Sequence, residues 1–372
     1  MKTVVDLFCG AGGLSLGFQD AGFRVLAGCD IVDTYGKTFE ANHEGAKFIH
    51  APVSELRNGE LLKHLGLERG ELDVLVGGPP CQAYSVYNHR RGMDDPRSQL
   101  FQDYLEVVRE VQPSWLVMEN VTGILSIEGG KLVDRIKDAI RGLGYADVDH
   151  FILRAEEYGV PQERRRVVFV ANRLGLPVIE PKRTHQTEND FVSVWQAIGD
   201  LPAIHPDTGI GVAVSYACEP MSAYQIEMRG NRTSVTAHRS PKLGAANQER
   251  LKYIPEGGSW RDIPINLLPE GMKKAKRSDH TKRYGRPRRS DLACTILTKC
   301  DIHWGAYIHP IQNRPFSVRE AARLQSFPDK FEFCGSMTEQ FVQIGNAVPP
   351  KLGFCIAKSI IDQGTNSRRR AA

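Results

Sequence analysis

Between residues 3 and 171 the chain alternates short apolar runs with amphipathic stretches, and no other feature restricts its possible folds as strongly. Runs at residues 3–8, 25–29, 74–76, 115–118 and 167–170 are rich in β-branched and aromatic side chains and predict strands; stretches near 14–21, 34–42, 99–111 and 131–143 predict helices. The strands lack the polar-apolar alternation of a half-exposed sheet. Continuous apolar strands separated by helices imply burial on both faces, with the helices as the two covers. The expected fold is therefore α/β: a doubly wound, mostly parallel sheet. Such sheets bind ligands beyond the carboxyl ends of their strands, so the residues that follow each run are where chemistry is expected.

After the first run comes Asp6-Leu7-Phe8-Cys9-Gly10-Ala11-Gly12-Gly13-Leu14-Ser15, a strand, a glycine-rich turn and the opening of a helix. Glycines there let backbone N–H groups approach a ligand and tolerate a positive φ. By itself the turn is weakly diagnostic, because many nucleotide-binding sheets carry one. Asp30, at the end of the second run, is placed to hydrogen-bond a ribose, and Ile31 to cover an adenine; the two fit NAD and S-adenosylmethionine equally. After residues 74–76 comes Gly78-Pro79-Pro80-Cys81. Two prolines fix φ and remove two donors, so the cysteine is presented on a stiff loop. A lone cysteine is more often a buried structural thiol than a nucleophile. Its company points the other way: Glu119-Asn120-Val121 follows the fourth strand and Gln162-Glu163-Arg164-Arg165-Arg166 leads into the fifth. A thiol, an acid and a fixed cation at sheet edges make a reaction centre.

Beyond residue 182 the periodicity fades into Pro, Gly, Ser and basic residues, which predicts a smaller, loop-rich domain; it returns with a helix at 318–327 and a final helix through 361. The predicted organisation is a catalytic domain over 1–185, a small domain over 186–317, a hinge region over 318–345 and a return to the first domain over 346–372. The net charge is only +4, but nine Lys/Arg lie between Lys273 and Arg289 against one acidic residue, Asp279, a segment suited to phosphate. Eight cysteines without C-x-x-C pairs indicate free thiols, with neither a zinc site nor a disulfide framework. With no long apolar segment, a cytoplasmic protein is expected, with no membrane or metal.

These motifs, in this order, resemble those of the DNA cytosine-5 methyltransferases over nearly the whole chain outside the small domain. The glycine-rich turn is similar to the family's first motif, Gly78-Pro79-Pro80-Cys81-Gln82 to its catalytic loop, Glu119-Asn120-Val121 to its ENV motif and Gln162-Glu163-Arg164-Arg165-Arg166 to its Q-x-R-x-R motif. Arg319-Glu320-Ala321-Ala322-Arg323-Leu324-Gln325-Ser326-Phe327-Pro328 and Gly345-Asn346-Ala347-Val348-Pro349-Pro350 resemble the last two. One position departs: where many members carry an Asp against the adenine amine, this chain has Pro52, and the backbone around Val53 is left to read the adenine edge.

The resemblance implies a Rossmann-like class I methyltransferase that binds S-adenosylmethionine through Phe8, Cys9, Gly10, Gly12, Gly13, Leu14, Asp30, Ile31, Pro52, Val53, Pro79, Leu100, Asn346 and Ala347. It implies that Cys81 adds to C6 of a flipped-out cytosine, that Glu119 holds N3 and the exocyclic amine, that Arg166 holds O2 and that Arg164 supports the loop or a phosphate. DNA contacts are expected from Gln82, Ser85 and Arg97, from Thr295 in the Thr295-Ile296-Leu297-Thr298 element, and from Lys282, Arg283 and Arg286. Duplex DNA would be the substrate and a restriction endonuclease a possible cognate partner, with the enzyme acting as a monomer. An RNA (tRNA) cytosine-5 methyltransferase of the same fold is the alternative. A dinucleotide-dependent oxidoreductase leaves Cys81 and Glu119 without a role, and a catalytically dead relative is disfavoured by their presence together with Arg166.

Overall fold

The computed structural model describes residues 1–80, 99–204, 213–216, 218–276 and 278–371, with the side chains of 365–371 excepted. Two units are distinguished by their internal contacts: unit 1 comprises Met1–Tyr158, Arg165–Thr184 and Ala347–Ala372, and unit 2 comprises Gly159–Arg164 and His185–Asn346.

Unit 1 is a seven-stranded sheet formed by β1 (Thr3–Leu7), β2 (Arg24–Asp30), β3 (Lys47–His50), β4 (Val74–Gly77), β5 (Trp115–Val121), β6 (Asp147–Arg154) and β8 (Arg165–Asn172), in the order β3-β2-β1-β4-β5-β8-β6. Neighbours from β3 to β5 are parallel, while β8 runs antiparallel between β5 and β6. The α/β class expected from the sequence is the one observed. Successive strand residues explain the continuous apolar runs: Val4, Val74, Val76 and Val117 belong to one core, and Val5, Leu75, Leu116 and Met118 to the other. Each strand therefore feeds both faces. Helices α4 (Gln99–Val111) and α5 (Lys131–Gly142) cover one face with Tyr104, Val107, Val108, Val111, Ile136 and Ile140, at the three- and four-residue spacing of an amphipathic helix. Helices α1 (Gly13–Asp20) and α12 (Pro350–Ala371) contribute to the other face through Leu14, Phe18, Leu352, Ile356 and Ile360. Helices α2 (Asp33–Asn42) and α3 (Glu60–Leu65) complete the unit. Strands β3 and β6 escaped the sequence reading because both are edge strands of mixed polarity.

Gly17 sets the approach of α1 to α12. A Cβ on Gly17 would lie 2.4 Å from the Pro350 carbonyl oxygen and 2.5 Å from the Phe354 nitrogen, both backbone atoms. Gly17→Ala gains about 1 kcal/mol of helix propensity but forces the helices apart. A net loss of roughly 1–3 kcal/mol is expected from overpacking, read as a lower urea midpoint; an unchanged midpoint would show that the helices separate without cost.

Unit 2 is built from short elements. The parallel two-residue strands β7 (Gln162–Glu163) and β11 (Ala293–Cys294) pair, as do the antiparallel strands β9 (Val214–Ser215) and β10 (Ser234–Val235). Its helices are α6 (Val194–Ile198), α7 (Ala223–Arg229), α8 (Ala245–Leu251), α9 (Glu270–Lys273), α10 (Val318–Leu324) and α11 (Met337–Asn346). Leu251, Ile254, Trp260, Ile263, Tyr284, Ile302 and Ile308 form a core. Helix α10 stops before residue 327, where its pattern predicts an end, because Ser326 adopts a φ of 64° and Pro328 follows. Arg323 on α10 is fully buried and ion-paired with Asp200 and Asp329. No described helix is long and apolar enough to cross a membrane.

Candidate functional site

The chain winds β1, β2, β3 outward in one direction and returns to lay β4 on the other side of β1, so the strand order reverses between β1 and β4. A crevice opens at the carboxyl ends of strands at such a point. Two sequence motifs end there: the glycine-rich turn after β1 and Gly78-Pro79-Pro80 after β4.

The turn is held by left-handed backbone at Phe8 (φ 61°), Gly10 (φ 54°) and Gly12 (φ 87°). Gly12 donates its N–H to the Cys9 carbonyl at 2.8 Å. A Cβ at Gly12 would fall 2.3 Å from Nε2 of His43, so only glycine fits. His43 is buried, its Nδ1 lies 3.0 Å from Oε1 of Gln19, and burial pushes its pKa down to about 4, keeping the ring neutral. Nothing in the sequence singled His43 out; it stands behind the turn only because α2 packs beside it. At Gly10, by contrast, a Cβ would meet no atom within 4 Å, so the backbone there faces open space. The Cys9 side chain turns inward: a Cβ on Gly28 of β2 would meet its Sγ at 2.8 Å. Gly13 and Leu14 are buried as well, so Cys9, Gly13 and Leu14 act by shaping the turn.

Asp30 closes the other side. Its carboxylate accepts N–H groups from Gly10 at 3.1 Å and Val32 at 3.2 Å, one on each oxygen. Each oxygen keeps a lone pair for a ribose hydroxyl. Burial raises the Asp30 pKa above the ordinary carboxylate range. Ile31 beside it is 65% exposed, an apolar surface for a base. Pro52 precedes a short 3-10 turn (Val53–Leu56), with Val53 buried. Pro79 is buried and Leu100 half-buried near the start of α4. Ala347 is buried at the start of the last segment of unit 1; Asn346, at the end of α11 in unit 2, is exposed. The residues of unit 1 fit a nucleoside, with its sugar on Asp30 and its base on Ile31.

Asp6, under the turn, accepts the Ser15 hydroxyl at 2.7 Å and ties the first turn of α1 to β1. Burial above all, then the charge of Asp30, push its pKa up to about 7 against the lowering effect of Ser15. Because the folded value lies above the ordinary one, the stability linked to Asp6 is complete below pH 4 and is lost as pH rises through 7. Asn keeps the acceptor for Ser15 without the charge. Asp6→Asn is therefore expected to stabilise the protein at pH 8 by on the order of 2–4 kcal/mol and to change little at pH 4, as read from denaturant midpoints at both pH values. Equal shifts at both would exclude titration as the cause.

The acid and the cation meet on the same sheet. Register sets Val168 of β8 opposite Glu119 of β5. Arg166, two residues from Val168, faces the same side and reaches Glu119 diagonally, with its Nε 2.7 Å from Oε1. Both side chains are mostly but not fully buried, at 14% and 13% exposure. Gly78, next to Glu119, holds space for the carboxylate: a Cβ there would lie 3.3 Å from Oε2. Buried Asn120 donates its Nδ2 to the Pro79 carbonyl at 3.2 Å, so the ENV segment grips the residue two before Cys81. Cys81, Gln82, Ser85 and Arg97 lie outside the described residues.

In unit 2 two expectations are revised. Arg164 is 1% exposed and spends its guanidinium on the carbonyls of Ile296 (3.4 Å) and Gly345 (3.2 Å), a pin inside the unit and no surface for phosphate. Arg286, expected on DNA, is 4% exposed and donates to the carbonyls of Leu251, Ile254, His309 and Gln312 and to Oδ1 of Asn313. A charge count along the sequence carries no record of burial. Lys282 is exposed and pairs with Glu163 at 2.6 Å; Arg283 lies over the Trp304 ring; and Thr295 donates its hydroxyl to the Glu163 carbonyl at 2.6 Å.

The sequence matches the family model described as C-5 cytosine-specific DNA methylase over residues 2–362. It is 33% identical to the Type II methyltransferase M.AgeI of Thalassovita gelatinovora, over 97% of this chain and 99% of that one. It is 34% identical to the Type II methyltransferase M1.HphI of Haemophilus parahaemolyticus, over 98% and 88%. Among solved structures, a candidate DNA modification methyltransferase encoded in an Escherichia coli prophage superposes with a TM-score of 0.79 at 25% identity, over 98% of this chain and all of that one.

Proposed function

The chain belongs to the C-5 cytosine-specific DNA methylases, and from that premise we propose that it transfers a methyl group from S-adenosylmethionine to C5 of a flipped-out cytosine within a specific site of duplex DNA. The observation that carries this reading is the Glu119–Arg166 pair at 2.7 Å beside Gly78, three residues before Cys81. A base drawn into that position meets an acid and a cation from neighbouring strands of one sheet, beside the described end of the segment that leads in sequence to Cys81.

S-adenosylmethionine, when bound, supplies an electrophilic methyl group; the glycine turn, Asp30 and Ile31 are the residues that would hold its nucleoside. C5 of cytosine is a poor nucleophile, and the protein's own groups must activate it. The Cys81 thiolate adds to C6, and the electron pair displaced from the C5–C6 bond makes C5 nucleophilic. Glu119 hydrogen-bonds N3 and the exocyclic amine while charge moves into the ring. Arg166 holds Glu119 through Nε and donates Nη1 to the Arg165 carbonyl at 2.8 Å, and the remaining donors of its planar guanidinium serve O2. After methylation, loss of the C5 proton restores the double bond and expels Cys81. Asn120 acts through the loop, fixing the Pro79 carbonyl. Flipping costs a few kcal/mol of stacking and pairing, recovered in these contacts.

The kinship with Type II methyltransferases supports a place as the modification half of a restriction-modification pair, with a cognate endonuclease as partner and cytoplasmic, monomeric action on one strand at a time. The test is incubation with methyl-labelled S-adenosylmethionine and either unmethylated duplex DNA or bulk transfer RNA. Label at C5 of DNA cytosines supports the proposal. Label in RNA alone would transfer the activity to the other substrate, and label in neither would overturn it.

A further inference from the structure

Trp304 of unit 2 is 58% exposed, although the residues around it are among the best buried in that unit: Ile302 at 1%, Tyr307 at 1% and Tyr284 at 0%. Its loop is held rigidly. Tyr284 donates its N–H to the Ile302 carbonyl at 2.7 Å and Gly285 donates to the Gly305 carbonyl at 3.3 Å, which lays the two segments side by side. A Cβ on Gly305 would strike the Tyr307 ring at 2.6 Å, so the residue after the tryptophan packs against that ring as only a glycine can. The Arg283 guanidinium lies 4.9 Å from the centre of the Trp304 indole. An indole kept in solvent on a fixed frame, with a cation on its face, is an arrangement with no packing purpose of its own.

The surroundings indicate its partner. Arg283 lies in a segment where Lys273, Lys274, Lys276, Lys282, Arg288 and Arg289 are exposed, while Arg286 is buried and adds nothing to the surface charge. Its neighbour Lys282 pairs with Glu163, whose carbonyl accepts the Thr295 hydroxyl, so the pair joins a connected polar network within unit 2. A planar apolar surface beside a guanidinium and a local excess of positive charge complements a polyanion with apolar sugar and base edges.

We propose that Arg283 and Trp304 form a DNA-contacting pair in which the guanidinium takes a backbone phosphate and the indole packs against the adjoining sugar and base edge. The pair rests on the DNA-methylating function proposed above and adds a residue, Trp304, that no motif identifies.

Tryptophan fluorescence reads the pair directly. Of the four tryptophans, Trp115 and Trp260 are 1% exposed and Trp195 is half-buried, so acrylamide quenching is dominated by Trp304. Sheared unmethylated plasmid DNA should reduce the quenching constant of the natural protein severalfold, an effect lost in Trp304→Phe. In filter binding, Trp304→Ala should weaken DNA affinity roughly tenfold. Arg283→Ala should weaken it and lower the slope of log affinity against log salt by about one unit. Both variants should bind S-adenosylhomocysteine as the natural protein does, which separates a contact role from misfolding. DNA binding with an unchanged quenching constant would overturn the contact pair and leave the proposed function standing. Failure of the natural protein to bind DNA at all would overturn both.

Discussion

Cys81→Ser protein is expected to lose methyl transfer by roughly 10⁴-fold or more while still binding S-adenosylhomocysteine. A serine hydroxyl is far less acidic than a thiol and cannot add to C6 at neutral pH, and no other activation of C5 is available. The two proteins should also differ in a covalent assay with duplex DNA carrying 5-fluorocytosine. Fluorine cannot leave C5 as the proton does, so the natural enzyme should remain bonded to the DNA through a denaturing gel, and the serine variant should not. A covalent complex formed by Cys81→Ser would remove Cys81 from the mechanism, because the bond would then come from another residue.

The second large effect is expected at Glu119. Glu119→Gln keeps the size of the side chain and a hydrogen-bond acceptor but removes the charge opposite Arg166 and the ability to hold a protonated ring. A fall in kcat of about 10²–10⁴-fold is expected from loss of acid-base participation, with cofactor affinity unchanged. Glu119→Ala should add a folding cost, since it strips the carboxylate from an arginine only 14% exposed; breaking such a pair costs up to about 3–5 kcal/mol when fully buried. If Glu119→Gln retained full kcat, the carboxylate would be a structural partner of Arg166 alone.

Much of this was legible along the chain. The fold class follows from apolar runs without alternation, because a strand covered on both faces has no polar face to show. The glycine turn, Asp30, the prolines before Cys81 and the acid of β5 were visible because each rests on a local backbone requirement or on a strand end. The short edge strands β3 and β6 were not visible, being too polar to separate from loop.

The three consecutive arginines of Arg164-Arg165-Arg166 mark where local information stops. Period two assigns alternate residues to alternate faces, but which face meets Glu119 depends on the register of β8 against β5. Arg164 instead holds carbonyls at Ile296 and Gly345, more than a hundred residues away. The same holds for Arg286, expected on DNA and buried among five acceptors, and for Trp304, which no motif marks and which is exposed. The sequence alone determined which elements form and which chemical groups stand at their ends, since propensity, glycine and proline act within a few residues. Only the tertiary structure decided which charges are buried, which are paired and which are left for a ligand, because those outcomes depend on partners that the chain brings together from far apart.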